Sequence, residues 1–160
     1  MKAIFLDIDG VLNNQEHLLL LHNRFLGREQ YLQLLQGLHE TPLDYRSCIL
    51  LQKLLYETSA EVILSSTWRL SEKHIEGIRK YGGIEIKDIT PRLDTIRGEE
   101  IQAYSDKHPE IENYVILDDD SDMLPEQICH FVKCDSKIGF TDKEYEKCWE
   151  ILKRRRIRNE

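Results

Sequence analysis

Residues 3–12 read Ala3-Ile4-Phe5-Leu6-Asp7-Ile8-Asp9-Gly10-Val11-Leu12. Four apolar residues in a row, rather than an alternating pattern, predict a strand covered on both faces, as in a parallel α/β sheet. Two aspartates two residues apart follow at once, at the carboxyl end of that strand, where open α/β sheets place their ligands. Gly10 allows the chain to turn sharply there. A lone pair of acids is common on solvated loops; a buried strand before it and Gly-Val-Leu after it make this one far more specific.

Outward from this stretch the pattern repeats. Further apolar runs occur at Glu61–Leu64, more weakly at Ile84–Ile89, and at Tyr114–Leu117 and His130–Cys134. Helical spacing fills the intervals: Tyr45–Thr58 with Asp44 as N-cap, Ser71–Tyr81 stopped by Gly82-Gly83, Gly98–Lys107 opening on Glu99 and Glu100, and Asp142–Arg156 after Thr141. Alternation of this kind predicts a Rossmann-like three-layer sandwich around a central parallel sheet. At 160 residues the chain is expected to be a single domain over 1–160. Residues 15–39 are the one stretch left over. Their broken amphipathic pattern, interrupted by Gly27, suits a small helical cover segment or an ordinary core helix equally well.

Composition narrows the function classes. Hydrophobic residues make up 41% and charged residues 32%, the balance of a globular chain. No apolar stretch approaches membrane-spanning length, and Asp7 and Asp9 cut the N-terminal apolar run too short for a signal peptide, so a cytoplasmic location is expected. The four cysteines form no C-x-x-C pair, and Cys129-His130 with Cys134 and Cys148 match no standard zinc spacing. Of the net charge of −7, residues 153–160 carry +4 and the remainder −11. An acidic body disfavours broad nucleic-acid binding; the basic tail suits a local contact, or simply the negative end of a helix dipole.

Two more polar clusters follow apolar runs. Asp118-Asp119-Asp120-Ser121-Asp122 places four carboxylates in five residues after Tyr114–Leu117. They repel one another unless a cation neutralises them, and hard oxygen ligands suit Mg²⁺ or Ca²⁺. A solvated loop capping the next helix would account for Asp120 and Asp122, but less well for the abrupt switch from Val115-Ile116-Leu117 to Asp118-Asp119. Leu64-Ser65-Ser66-Thr67-Trp68-Arg69 offers three hydroxyls and a guanidinium after a strand, a set able to hold phosphate oxygens.

Taken in order, Asp7-Ile8-Asp9-Gly10, then Ser65, then Asp118-Asp119 resemble the motifs of the haloacid dehalogenase (HAD) superfamily, over essentially the whole chain. Asp-Gly-Val-Leu-Asn, Leu-Ser-Ser-Thr-Trp-Arg, Arg-Gly-Glu-Glu-Ile and Val-Ile-Leu-Asp-Asp-Asp are similar to the small HAD domains associated with bacterial RNA-repair proteins. The resemblance implies a magnesium-dependent phosphomonoester hydrolase with little or no cap. Asp7 would be the nucleophile that forms an aspartyl-phosphate, and Asp9 the acid and then the base. Mg²⁺ would sit on the Asp7 carboxylate, the Asp9 carbonyl and Asp119, with Asp118 orienting that shell. Ser65, Ser66 and Arg97 would hold the phosphate oxygens, and Arg69 would contact substrate. The family usually has lysine where Arg97 stands, sometimes arginine. No large cap fits between Trp68 and Ile96, so an open site suits a phosphate at an RNA or DNA end; a nucleotide or sugar phosphate is the alternative. A receiver-like module would need its phosphoacceptor mid-chain, with the hydroxyl and lysine after it. A catalytically silent binding domain would not need every acid that is present.

Overall fold

The computed structural model describes residues 1–24 and 43–154. Its strands are β1 (Lys2–Leu6), β2 (Ala60–Leu64), β3 (Ile86–Ile89), β4 (Asn113–Asp118) and β5 (Phe131–Lys133). They form one sheet in the order β3-β2-β1-β4-β5, with every pair parallel. The described helices are α1 (Gln15–Arg24), α2 (Tyr45–Thr58), α3 (Glu72–Gly82), α4 (Arg97–Lys107) and α5 (Asp142–Lys153).

The apolar strands are buried on both faces, as their composition demands. Ile4, Leu6, Val62, Leu64, Val115 and Leu117 point to one core, which Leu51 and Leu54 of α2, Ile78 of α3 and Ile151 and Leu152 of α5 complete. Ala3, Phe5, Ile63 and Ile116 point the other way, onto Ile101 and Tyr104 of α4. Helices on each side of a central parallel sheet give the expected three-layer, Rossmann-like α/β sandwich. Fully burying one such aliphatic side chain stabilises the fold by about 1.5–3 kcal/mol, so these two layers supply the rigidity behind the strand ends.

Caps expected from sequence are in place. Asp44 accepts from the Arg46 amide, Ser71 from His74, and Gly83 closes α3 in the left-handed conformation. One expectation changes, and another is only partly covered by the described residues. The last helix stops at Lys153, where Arg154 is already extended, rather than reaching Arg156; residues 155–160 of the basic tail lie outside the described residues. Of the 15–39 segment, the first part forms α1, with Leu19 and Leu20 exposed, and 25–39 lies outside the described residues. Between β2 and α4 the chain holds a short 3-10 turn (Thr67–Leu70), α3 and β3, with no inserted cap domain. Among the described residues no helix is long and apolar enough to cross a membrane.

Candidate active site

The chain runs from β1 outward to β2 and β3, then returns to the other side of β1 as β4. The strand order therefore reverses between β1 and β4, and the crevice outside their carboxyl ends is where such sheets bind ligands. Asp7 and Asp118 stand on either side of it. The Asp7 amide donates to the Leu117 carbonyl at 2.9 Å, and the Ser65 amide to Leu6 at 2.9 Å, so both polar residues are fixed by continuation of the sheet ladder.

Beyond Asp7 the chain folds tightly back. The amides of Val11, Leu12 and Asn13 all point to the Ile8 carbonyl, and the Gly10 amide donates to Asn13 Oδ1 at 3.0 Å. Gly10 has φ +76°, and a Cβ there would lie 2.4 Å from Asp119 Oδ2. Only glycine lets the β1 loop approach the β4 carboxylates this closely.

Asp7, Asp118 and Asp119 each place a carboxylate oxygen within 4.8 Å of the others. Burial pushes the Asp7 carboxyl above its usual range, with Arg97 and Ser66 opposing. Burial, then the neighbouring Asp7, pushes Asp118 up to about 7, and burial raises Asp119 as well. Asp118 Oδ2 is buried without a hydrogen bond. Crowded, desolvated, hard oxygen donors with an orphaned lone pair fit a divalent cation such as Mg²⁺.

Arg97 is the organic cation of the site. Its Nη1 lies 3.2 Å from Asp7 Oδ1 and 3.5 Å from Asp118 Oδ2. Burial works against its charge, but Asp7 and Asp118 more than offset this and its pKa rises. Two devices hold it there. Asp122 accepts the Arg97 amide on Oδ2 at 3.0 Å and the Gly98 amide on its carbonyl at 3.1 Å, so the acidic loop caps the helix that precedes it in sequence, not the one that follows. Gly98 lets α4 approach that loop, since a Cβ would come 2.6 Å from the Leu124 nitrogen.

Ser65 and Ser66 are fully buried beside this group. The Ser65 hydroxyl has no hydrogen-bond partner, an orphan donor of the kind an incoming oxygen would satisfy. Asp9 is different. It is exposed, and its carboxylate accepts from Asn13 Nδ2 at 2.8 Å and Trp68 Nε1 at 3.0 Å.

Arg69 departs from its expected substrate contact. Its five N–H groups are all engaged within the protein: Nε with Thr90 O at 3.1 Å, Nη1 with Ser65 O at 2.6 Å and Ser66 O at 2.9 Å, Nη2 with Pro91 O at 3.4 Å and Glu100 Oε2 at 2.6 Å. No donor is left for a phosphate. Glu100 in turn accepts the Leu93 amide on Oε1. This buried pair ties the loops after β2 and β3 to the first turn of α4, and so holds the Ser65 and Arg97 ends of the site together. In sequence Glu100 marks only the opening of α4; nothing local marks its pairing with Arg69, 31 residues away. The cysteines take no part: Cys48, Cys134 and Cys148 are buried free thiols, and Cys129 is free and exposed.

A family model described as the HAD domain in Swiss Army Knife RNA repair proteins matches residues 3–145. That span runs from the first residue of the buried apolar run of β1 to the first turn of α5, and so includes every residue placed at the site above. No curated protein and no solved structure matches the chain.

Proposed function

The chain belongs to the family of HAD domains of Swiss Army Knife RNA repair proteins, and from that premise we propose that it is a Mg²⁺-dependent phosphomonoesterase acting on nucleic-acid end phosphates. HAD-type phosphatase chemistry is the family-level activity; the metal, residue roles and substrate are our reading. The observation that carries it is the Asp7 carboxylate, fixed at the end of β1 and gathered with Arg97, Asp118 and Asp119 into one cluster.

Asp7 attacks phosphorus through a carboxylate oxygen. As that bond forms, the bond to the leaving oxygen breaks, and Asp9 gives that oxygen its proton. Asp9, now a carboxylate, takes a proton from water as the water oxygen bonds to phosphorus and the bond from phosphorus to the Asp7 oxygen breaks. Orthophosphate leaves, with Asp7 ionised and Asp9 protonated again. Arg97, the Ser65 hydroxyl and Ser66 hold the transferring oxygens. Asp7, Asp119 and the Asp9 carbonyl would hold Mg²⁺, with Asp118 orienting them. Bound there, the ion would lower the repulsion between an anionic carboxylate and an anionic phosphate.

A metal reading has a consequence for stability. Without a cation, Asp118 is shifted from 3.8 to about 7. Its contribution to folding is then fully present below pH 3.8 and is lost as pH rises through about 7, because ionising it in place is costlier than in the unfolded chain. Mg²⁺ binding the native state raises stability by mass action. The rise in Tm on adding Mg²⁺ should therefore be larger at pH 7.5 than at pH 5, by thermal unfolding in chelator and in metal. Asp119→Ala should remove most of the response and Asp122→Ala little of it. Equal responses in the two variants would contradict the ligand assignment.

For the substrate, the absence of an inserted cap domain between β2 and α4 favours a phosphate presented at the end of a polymer, and the family's occurrence in RNA repair proteins agrees. An end-phosphorylated oligonucleotide should be hydrolysed with a higher kcat/KM than the matching mononucleotide, because contacts remote from the reacting centre add binding energy usable in the transition state. The advantage should shrink as salt rises. A preference for mononucleotides or sugar phosphates at every salt concentration would overturn the polymer assignment and leave the hydrolase chemistry standing.

A further inference from the structure

Exposed carboxylates are normally solvated by water and sample several rotamers. Asp9 is exposed, yet protein donors occupy both of its oxygens: Asn13 Nδ2 on Oδ1 and Trp68 Nε1 on Oδ2. The donors are themselves fixed. Asn13 is buried, with its Oδ1 committed to the Gly10 amide. Trp68 sits in the 3-10 turn after β2, half-buried against the main core, with its ring 4.9 Å from that of His74. The turn carrying Asp9 and the turn that follows Ser65 and Ser66 are thus joined through the Asp9 carboxylate.

The chemistry of these donors is specific. An indole N–H donates and has no lone pair to receive a proton, and the Asn13 amide nitrogen likewise only donates. Each carboxyl oxygen accepting one N–H keeps a second lone pair. The carboxyl is therefore held in one orientation, with a lone pair left on each oxygen for a proton. We propose that Trp68 and Asn13 are positioning residues that hold the Asp9 carboxyl for proton transfer to and from the reacting oxygens. This inference rests on the phosphohydrolase reading and on Asp9 as its acid and base.

Leaving-group dependence tests it, because kcat/KM reports steps through expulsion of the alcohol. A nucleoside alkoxide must be protonated as it leaves; p-nitrophenolate hardly needs to be. In the Trp68→Phe variant, which keeps an aromatic ring at this position and removes the indole N–H, the loss of kcat/KM on a nucleoside 5′-phosphate should exceed the loss on p-nitrophenyl phosphate by about tenfold, part of the 10²–10⁴ that general acid catalysis contributes. Asp9→Asn should show the same selectivity more strongly. A second readout needs no turnover: in ¹H–¹⁵N spectra the Trp68 indole N–H should move upfield in Asp9→Asn, while that of Trp149 stays put. Equal losses on both esters, no loss on either, or an indole signal indifferent to Asp9→Asn would overturn the positioning role. If the wild-type chain releases phosphate from neither of these esters nor from an end-phosphorylated oligonucleotide, the phosphohydrolase reading itself fails, which is a different result.

Discussion

Asp7→Asn is expected to lower turnover by at least about 10⁴-fold, the scale seen when a covalent nucleophile is removed, while leaving the fold intact. The asparagine amide is nearly isosteric and removes a charge whose pKa burial already raises. Arg97 keeps Asp118 as a partner, 3.5 Å away, so the substitution strands no cation. Phosphate release in Mg²⁺, measured beside circular dichroism and thermal unfolding, separates the two effects. Hydrolysis near the wild-type rate would remove the covalent mechanism. Lost activity accompanied by unfolding would show that Asp7 is structural.

The second large effect is expected at Arg69. Arg69→Met removes a cation whose partner, Glu100, is buried with 7% of its side chain exposed, and it removes the guanidinium donors to the Ser65 and Thr90 carbonyls. Breaking a buried pair from one side costs about 3–5 kcal/mol, or a fall in Tm of about 10 °C for a domain of this size. Activity should fall too, since Ser65 and α4 lose their common tie. The double variant Arg69→Met with Glu100→Met should be more stable than Arg69→Met alone, because no charge is left stranded. Denaturant titration of the two single variants and the double variant measures this coupling directly. Additive losses would mean that the pair does not act as a unit.

The two residues also show where sequence is informative. β1 and β4 were legible because a strand buried on both faces must be continuously apolar, and because the switch from Leu6 to Asp7 and from Leu117 to Asp118 marks a sheet edge facing a ligand crevice. The ends of α2 and α3 were legible from Asp44, Ser71 and Gly82-Gly83, since caps are local chemistry. β3 was the weakest run and is an edge strand with three of its four residues exposed, which leaves little hydrophobic signal to read. Arg69 was misread for a nonlocal reason. Ser65-Ser66-Thr67-Trp68-Arg69 looks like an anion site by composition, but the guanidinium's partners come from three separate segments of the chain. The hydrogen bond from Trp68 to Asp9 crosses 59 residues and has no signature in either neighbourhood. Asp122 carried a capping signal, but its target, the first turn of α4, lies behind it in the chain.

The central claim is that phosphate passes through the Asp7 carboxylate, and trapping the intermediate tests it most directly. Wild-type protein mixed with excess phosphate ester in Mg²⁺ is quenched in acid during turnover and reduced with borohydride, which converts a phosphorylated aspartate to homoserine. Peptide mapping by mass spectrometry then locates the change. Conversion at position 7, absent without substrate and with Asp9, Asp118 and Asp119 unmodified, is the predicted result. Phosphate release with position 7 untouched, or conversion at any other aspartate, would contradict the account.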